Sequence, residues 1–139
     1  MVNLVIFLDI DGVLNTPPMY GKKIESENVS IFNKLIETLN KKYNVEIVIS
    51  SSWRLSSGVN KILRESGIKT KLKGITPNLG DRNKEINTYI KNNNLDKENC
   101  LVLDDEEDIV RNVICNYYIT NYKTGIVEND INKIVKVLN

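Results

Sequence analysis

The chain has 139 residues, 41% hydrophobic and 27% charged, with a formal net charge of +1. That balance excludes a disordered chain and supplies no bulk charge to draw a nucleic acid or a membrane; the length suits one domain, residues 1–139, with its own core. The absence of histidine and the presence of only two cysteines, Cys100 and Cys115, exclude Ser-His-Asp and Cys-His catalysis, His-ligated metals and a disulfide framework.

In chain order, Leu4 to Leu8 is an apolar run that ends in Asp9-Ile10-Asp11-Gly12 and reads as a buried central strand. It lacks the basic start and the cleavage site of a signal peptide. Residues 15–25 hold Pro17, Pro18 and Gly21, which marks a loop or short flap. In that flap Tyr20, Lys22 and Lys23 either reach a substrate or simply belong to a loose loop. Val29, Phe32, Leu35, Ile36 and Leu39 recur at helical spacing, so a helix is expected over roughly 27–42. Val45 to Ile49 reads as a second buried strand, which ends at Ser50, Ser51 and Ser52.

A second helix is expected from Ser57 or Gly58, stopped by Gly67. Leu72 to Ile75 is a short strand, and Asp81 caps a helix that runs to about Asn92. Cys100 to Leu103 is a third buried strand, ending at Asp104 and Asp105. Tyr117 to Thr120 is a fourth candidate, and Glu128 to Leu138 closes as an amphipathic helix. Strands alternating with helices predict an α/β fold, a Rossmann-like three-layer sandwich around a central parallel sheet. No apolar run approaches the length of a membrane span, and two free thiols fit a reducing cytoplasm.

Three strands therefore end in chemistry: Asp9 and Asp11, Ser50 to Ser52, and Asp104 and Asp105. Open parallel sheets bind ligands outside the carboxyl ends of their strands, so these clusters are expected in one crevice. Four carboxylates gathered there would repel, and a hard dication relieves that cost. Magnesium suits an oxygen-only donor set. The Gly12 turn offers backbone N–H groups to a phosphate, Ser51 a hydroxyl, and Arg82 or Lys84 a cation for the transferring group.

These residues resemble the motifs of the haloacid dehalogenase superfamily. Phe7 to Leu14 is similar to its first motif, hydrophobic residues followed by DxDGVL. The resemblance implies that Asp9 attacks phosphorus, forming an aspartyl-phosphate, and that Asp11 acts as general acid and then base. Ile47 to Arg54 resembles the second motif, with Ser51 preferred to Ser50 or Ser52 as its serine. Gly80 to Ile86 resembles the third, with Arg82 preferred to Lys84. Leu101 to Asp105 resembles the fourth, and Asp108 satisfies its wider-spaced variant. Thr124-Gly125-Ile126 resembles a stretch near the end of related domains.

The resemblance implies a magnesium site built from Asp9, the Asp11 carbonyl, Asp104 and Asp105, and a Mg2+-dependent phosphatase of phosphomonoesters. Neither inter-motif segment has room for a substantial cap domain. An open site suits a large phosphorylated substrate, such as a protein or a nucleic-acid end. Arg54, Lys61, Arg64, Lys69, Lys71 and Lys73 form a basic stretch that is either a phosphate-backbone groove or a solvated face. Trp53 either stacks on a ring in the open site or packs against the sheet. Two readings of other classes remain beside the phosphatase: a phosphate-binding signalling module without turnover, and an inactive relative kept as a binding partner.

Overall fold

The structure is a computed structural model and describes residues 1–19 and 23–139. Tyr20, Gly21 and Lys22 lie outside the described residues. Five strands form one wholly parallel sheet: β1 (Val2–Leu8), β2 (Tyr43–Ile49), β3 (Lys71–Ile75), β4 (Cys100–Asp104) and β5 (Asn116–Ile119), in the spatial order β3-β2-β1-β4-β5. Four helices flank it: α1 (Ser26–Leu39), α2 (Val59–Glu65), α3 (Arg82–Asn92) and α4 (Glu128–Leu138).

Side chains alternate across a strand, so β1 feeds two cores. Leu4, Ile6 and Leu8 pack with Val29, Phe32 and Leu35 of α1, Val59 and Leu63 of α2, and Ile131 and Ile134 of α4. Val5 and Phe7 face the other way, onto Ile86 and Ile90 of α3. This gives the three layers: α1, α2 and α4 on one face, the sheet, and α3 on the other. Phe32 is fully buried, and truncating such a residue to Ala costs about 3–5 kcal/mol. The sheet is thus a stiff platform for the loops at its carboxyl edge.

The expected elements form with small shifts. Strand β2 begins at Tyr43 rather than Val45, because Tyr43 is buried and Asn44 faces solvent, which continues the alternation. Helix α1 stops at Leu39 with Asn40 as its C-cap, so Lys41 and Lys42 turn into β2 instead of extending the helix. Asp81 caps α3 by accepting from the Lys84 N–H at 3.2 Å, and Gly67 turns out of α2 at φ 104°. Trp53 packs: it is 5% exposed and belongs to the larger core. Among the described residues there is no cap domain between the elements. None of the helices is long and apolar enough to cross a membrane.

Candidate active site

The sheet runs outward from β1 in both directions, to β2 and β3 on one side and to β4 and β5 on the other. The chain order reverses between β1 and β4, and ligands of open α/β sheets gather at such a switch point. Leu8 pairs with Leu103 across these strands, so the residues that follow, Asp9 and Asp104, stand side by side. Leu8 and Leu103 point into the larger core, so alternation turns Asp9 and Asp104 toward α3. Arg82, the first residue of α3, meets them there. Its Nη1 donates to Asp104 Oδ2 at 2.8 Å and lies 3.5 Å from Asp9 Oδ1.

Asp105 completes the cluster. One carboxylate oxygen from each of Asp9, Asp104 and Asp105 lies within 4.8 Å of the others. This all-oxygen donor set has the chemistry that a hard dication such as magnesium takes. With all three acids ionised, Arg82 offsets one charge and two remain, which is the charge of a dication. Burial raises the Asp9 carboxyl well above its ordinary range, and the neighbouring Asp104 adds to this against the opposing pull of Arg82. Asp105 is pushed up to about 6, mainly by burial and then by Asp104. Burial works against the Arg82 charge, but Asp9 and Asp104 more than offset it and raise the guanidinium.

The Asp9-Ile10-Asp11-Gly12 turn is braced from two directions. Asn15 Oδ1 accepts from the Gly12 N–H at 3.0 Å, and Asn15 Nδ2 donates to Asp11 Oδ1 at 2.8 Å and to the Lys23 carbonyl at 3.0 Å. Thr120 Oγ1 donates to the Gly12 carbonyl at 2.7 Å. Gly12 has φ 81°, and a Cβ there would collide with the Asp105 carboxylate. Glycine is thus required both by conformation and by space. The Gly12 N–H is thus held by Asn15, while among the described residues the Ile10 and Asp11 N–H groups of the same turn meet no protein acceptor. The Asp11 carboxylate stands outside the three-acid cluster, held by Asn15.

At the end of β2 the three serines differ. Ser50 is fully buried and its Oγ has no hydrogen-bond partner. Ser51 is 1% exposed and its Oγ accepts from the Trp53 N–H at 3.2 Å. Ser52 is exposed. On α3, Lys84 is exposed while Arg82 contacts the acids. The Asp108 side chain is 90% exposed and pairs with Arg111, whereas Asp105 joins Asp104.

Arg54 is the residue that sequence reasoning misplaced. It is not a surface charge of a basic run: its side chain is 3% exposed and pairs with Glu85 of α3 at 3.0 Å. Lys71 and Lys73 lie beside Glu46, and the exposed Lys61 pairs with Glu65. Of that stretch, Arg54 makes an internal pair and Lys61, Lys71 and Lys73 make surface pairs, whereas Arg64 Nη1 donates to the Ile68 carbonyl. An open cleft of about 510 Å³ borders the site on the α3 side; Ser52, Arg54, Asp81, Arg82, Glu85 and Asp108 are among its walls.

The family model of the HAD domain in Swiss Army Knife RNA repair proteins matches residues 5–131. No curated protein matches the chain.

Proposed function

The chain belongs to that HAD-domain family, within the haloacid dehalogenase superfamily, and from this premise we propose that it is a magnesium-dependent phosphatase. The observation that carries the reading is the three-acid cluster of Asp9, Asp104 and Asp105, with Arg82 against it and Asp11 beside it on a braced turn. Residues 1–139 act as one catalytic domain, in a reducing cytoplasm where Cys100 and Cys115 stay as thiols; burial pushes both up to about 12.

An Asp9 carboxylate oxygen attacks phosphorus, and the ester P–O bond breaks. Asp11 gives its proton to the departing alkoxide. Water then attacks the aspartyl-phosphate, Asp11 takes its proton, and the bond from phosphorus to Asp9 breaks. Two easier displacements replace one difficult one. Arg82 has N–H groups to spare for the equatorial oxygens. Ser50, with its unpartnered hydroxyl, and Ser51 supply further donors. Asp9, the Asp11 carbonyl, Asp104 and Asp105 would hold Mg2+, which supplies charge neutralisation for the transferring group.

The substrate class favoured is a terminal phosphomonoester of RNA. The description of the matched family places its HAD domain in RNA repair proteins, and a site without a cap among the described residues admits a chain end. The test is phosphate release from an aryl phosphate, free nucleotides and RNA oligonucleotides ending in a 3′- or 5′-phosphate, with and without magnesium. Magnesium-dependent release that is fastest on the RNA ends and absent in Asp9→Asn is expected. Full turnover by Asp9→Asn would sink the mechanism, and equal rates on every substrate would sink the RNA assignment.

A further inference from the structure

We propose that Arg54 is a positioning residue that aims the backbone N–H groups of Ser51 and Ser52 at the phosphate. The inference rests on the phosphatase reading of the site but assigns a role to a residue that never touches the reacting atoms.

An arginine has five N–H donors in a planar fork. All those of Arg54 are engaged within the protein. Its Nε donates to the Thr76 carbonyl at 2.9 Å. Its Nη1 donates to the carbonyls of Ser50 at 3.3 Å and Ser51 at 3.0 Å. Its Nη2 donates to the Pro77 carbonyl at 3.0 Å and meets Glu85 Oε2 at 3.0 Å. The same Glu85 oxygen accepts from the Leu79 N–H at 2.9 Å. One guanidinium thus ties the exit of β2, the exit of β3 and the first turn of α3, which also carries Arg82.

The consequence follows from peptide geometry. In a trans peptide the C=O of one residue and the N–H of the next point in opposite directions. Drawing the Ser50 and Ser51 carbonyls onto Arg54 therefore turns the Ser51 and Ser52 N–H groups away from it. Among the described residues those two N–H groups donate to no protein acceptor. The neighbouring Ser50 Oγ, fully buried, is also unpartnered. Ser50 follows Ile49, the partner of Leu8, so it stands next to Asp9 at the sheet edge. Three unused donors beside the nucleophile are what an incoming anion needs, and Arg54 is what holds two of them in orientation. Glu85 in turn balances the buried charge of Arg54. A lysine cannot reproduce this, because a point ammonium on a flexible stem lacks the planar fork.

The experiment compares Arg54→Lys and Glu85→Gln with wild type and with Lys34→Ala, an exposed ion-pair control on α1. Folding is checked by circular dichroism. Then kcat and KM on an aryl phosphate with magnesium, and tungstate binding followed by the backbone amide resonances, are measured per folded molecule. Arg54→Lys should lower kcat by about 10²-fold, the scale of a misplaced catalytic group. It should also abolish the tungstate-induced shifts of the Ser51 and Ser52 amides. Glu85→Gln keeps the four carbonyl bonds of Arg54 and should show a smaller fall, so the inference stays testable if Arg54→Lys fails to fold. A folded Arg54→Lys with wild-type kcat and unchanged amide shifts would overturn it, as would Glu85→Gln matching wild type on both readouts should Arg54→Lys not fold. If wild type turns nothing over, the phosphatase reading falls, and the tungstate shifts alone decide the role of Arg54. Wild-type Ser51 and Ser52 amides that ignore tungstate overturn the role outright.

Discussion

Two arginines converge on the first turn of α3 and are used in opposite ways. Arg54 is almost wholly enclosed, and each of its donors meets a carbonyl or Glu85. Arg82 is 16% exposed, borders an open cleft and donates through Nη1 to Asp104, among acids that outnumber it. A charge with every partner supplied rigidifies its surroundings, because changing it leaves another charge buried and alone. A charge with spare donors and surplus acids around it is poised for something that is not protein. Structure and chemistry are thus divided between two chemically identical side chains, joined through one turn of helix.

That division can be broken at either end. Arg54→Ala should have the largest effect on stability, about 3–5 kcal/mol, because Glu85 is left buried without its partner. Urea unfolding with an unchanged m value would measure it. A loss under about 1 kcal/mol would mean that water replaces the guanidinium and that the pair is no anchor. Arg82→Ala should behave in reverse. Its removal should cost about 10²–10³-fold in kcat, the scale for losing one electrostatic donor at a transition state, with a smaller stability loss than Arg54→Ala. If Arg82→Ala were the less stable of the two variants, the division of labour would be wrong.

The acids around Arg82 sharpen the contrast through pH. Asp9 and Asp105 hold their protons more tightly folded than unfolded, mainly because of burial, with Asp105 near 6 against an ordinary carboxylate near 4. In that window the native state binds more protons than the unfolded chain, so stability falls as pH rises. In chelator, their contribution is complete below the unfolded value and is lost as pH climbs through the folded one. The proposed magnesium would bind only the folded, deprotonated cluster, so it should raise the melting temperature at pH 7 and do little at pH 4.5. Asp105→Asn should flatten the chelated profile. A magnesium response independent of pH would mean the ion binds elsewhere.

The parts of the molecule that depend on local pattern were readable without a structure. Each strand and helix follows from apolar periodicity, and Asp9, Asp104 and Arg82 follow from their places at element ends. The switch point needed only the rule that open sheets bind at their carboxyl edge. What was not legible is long-range pairing. Arg54 looked like one more basic residue in a run of them, because its partner Glu85 lies on another element and the Thr76 and Pro77 carbonyls carry no side-chain signal. Its only sequence clue was its place beside the buried Trp53, directly after a serine-rich strand end. The choice of Asp105 over Asp108 likewise turned on backbone geometry, since both spacings suit the motif. That Asn15 takes up the Gly12 N–H was not legible either, because three residues on from Gly12 it reads as an ordinary turn residue.

Asn15 gives the mildest test of where structure ends and chemistry begins on the other side of the site. It is 2% exposed and makes three hydrogen bonds, one of them to the Asp11 carboxylate. Asn15→Ala would leave the buried Gly12 N–H without an acceptor, a loss of about 1–3 kcal/mol in stability. It would also release Asp11, the proton donor and acceptor of the proposed cycle, from its only side-chain tether among the described residues. The fixed position of a general acid contributes to kcat rather than to substrate affinity, so kcat should fall about fivefold with KM nearly unchanged, as one hydrogen bond of about 1 kcal/mol allows. Asn15→Asp separates the two roles. Its carboxylate can still accept from Gly12, but it cannot donate to Asp11 and repels it. Recovery of stability without recovery of kcat is expected, read from urea unfolding and steady-state rates on the same samples. Recovery of both would show that Asn15 serves only the turn and that Asp11 finds its working position unaided.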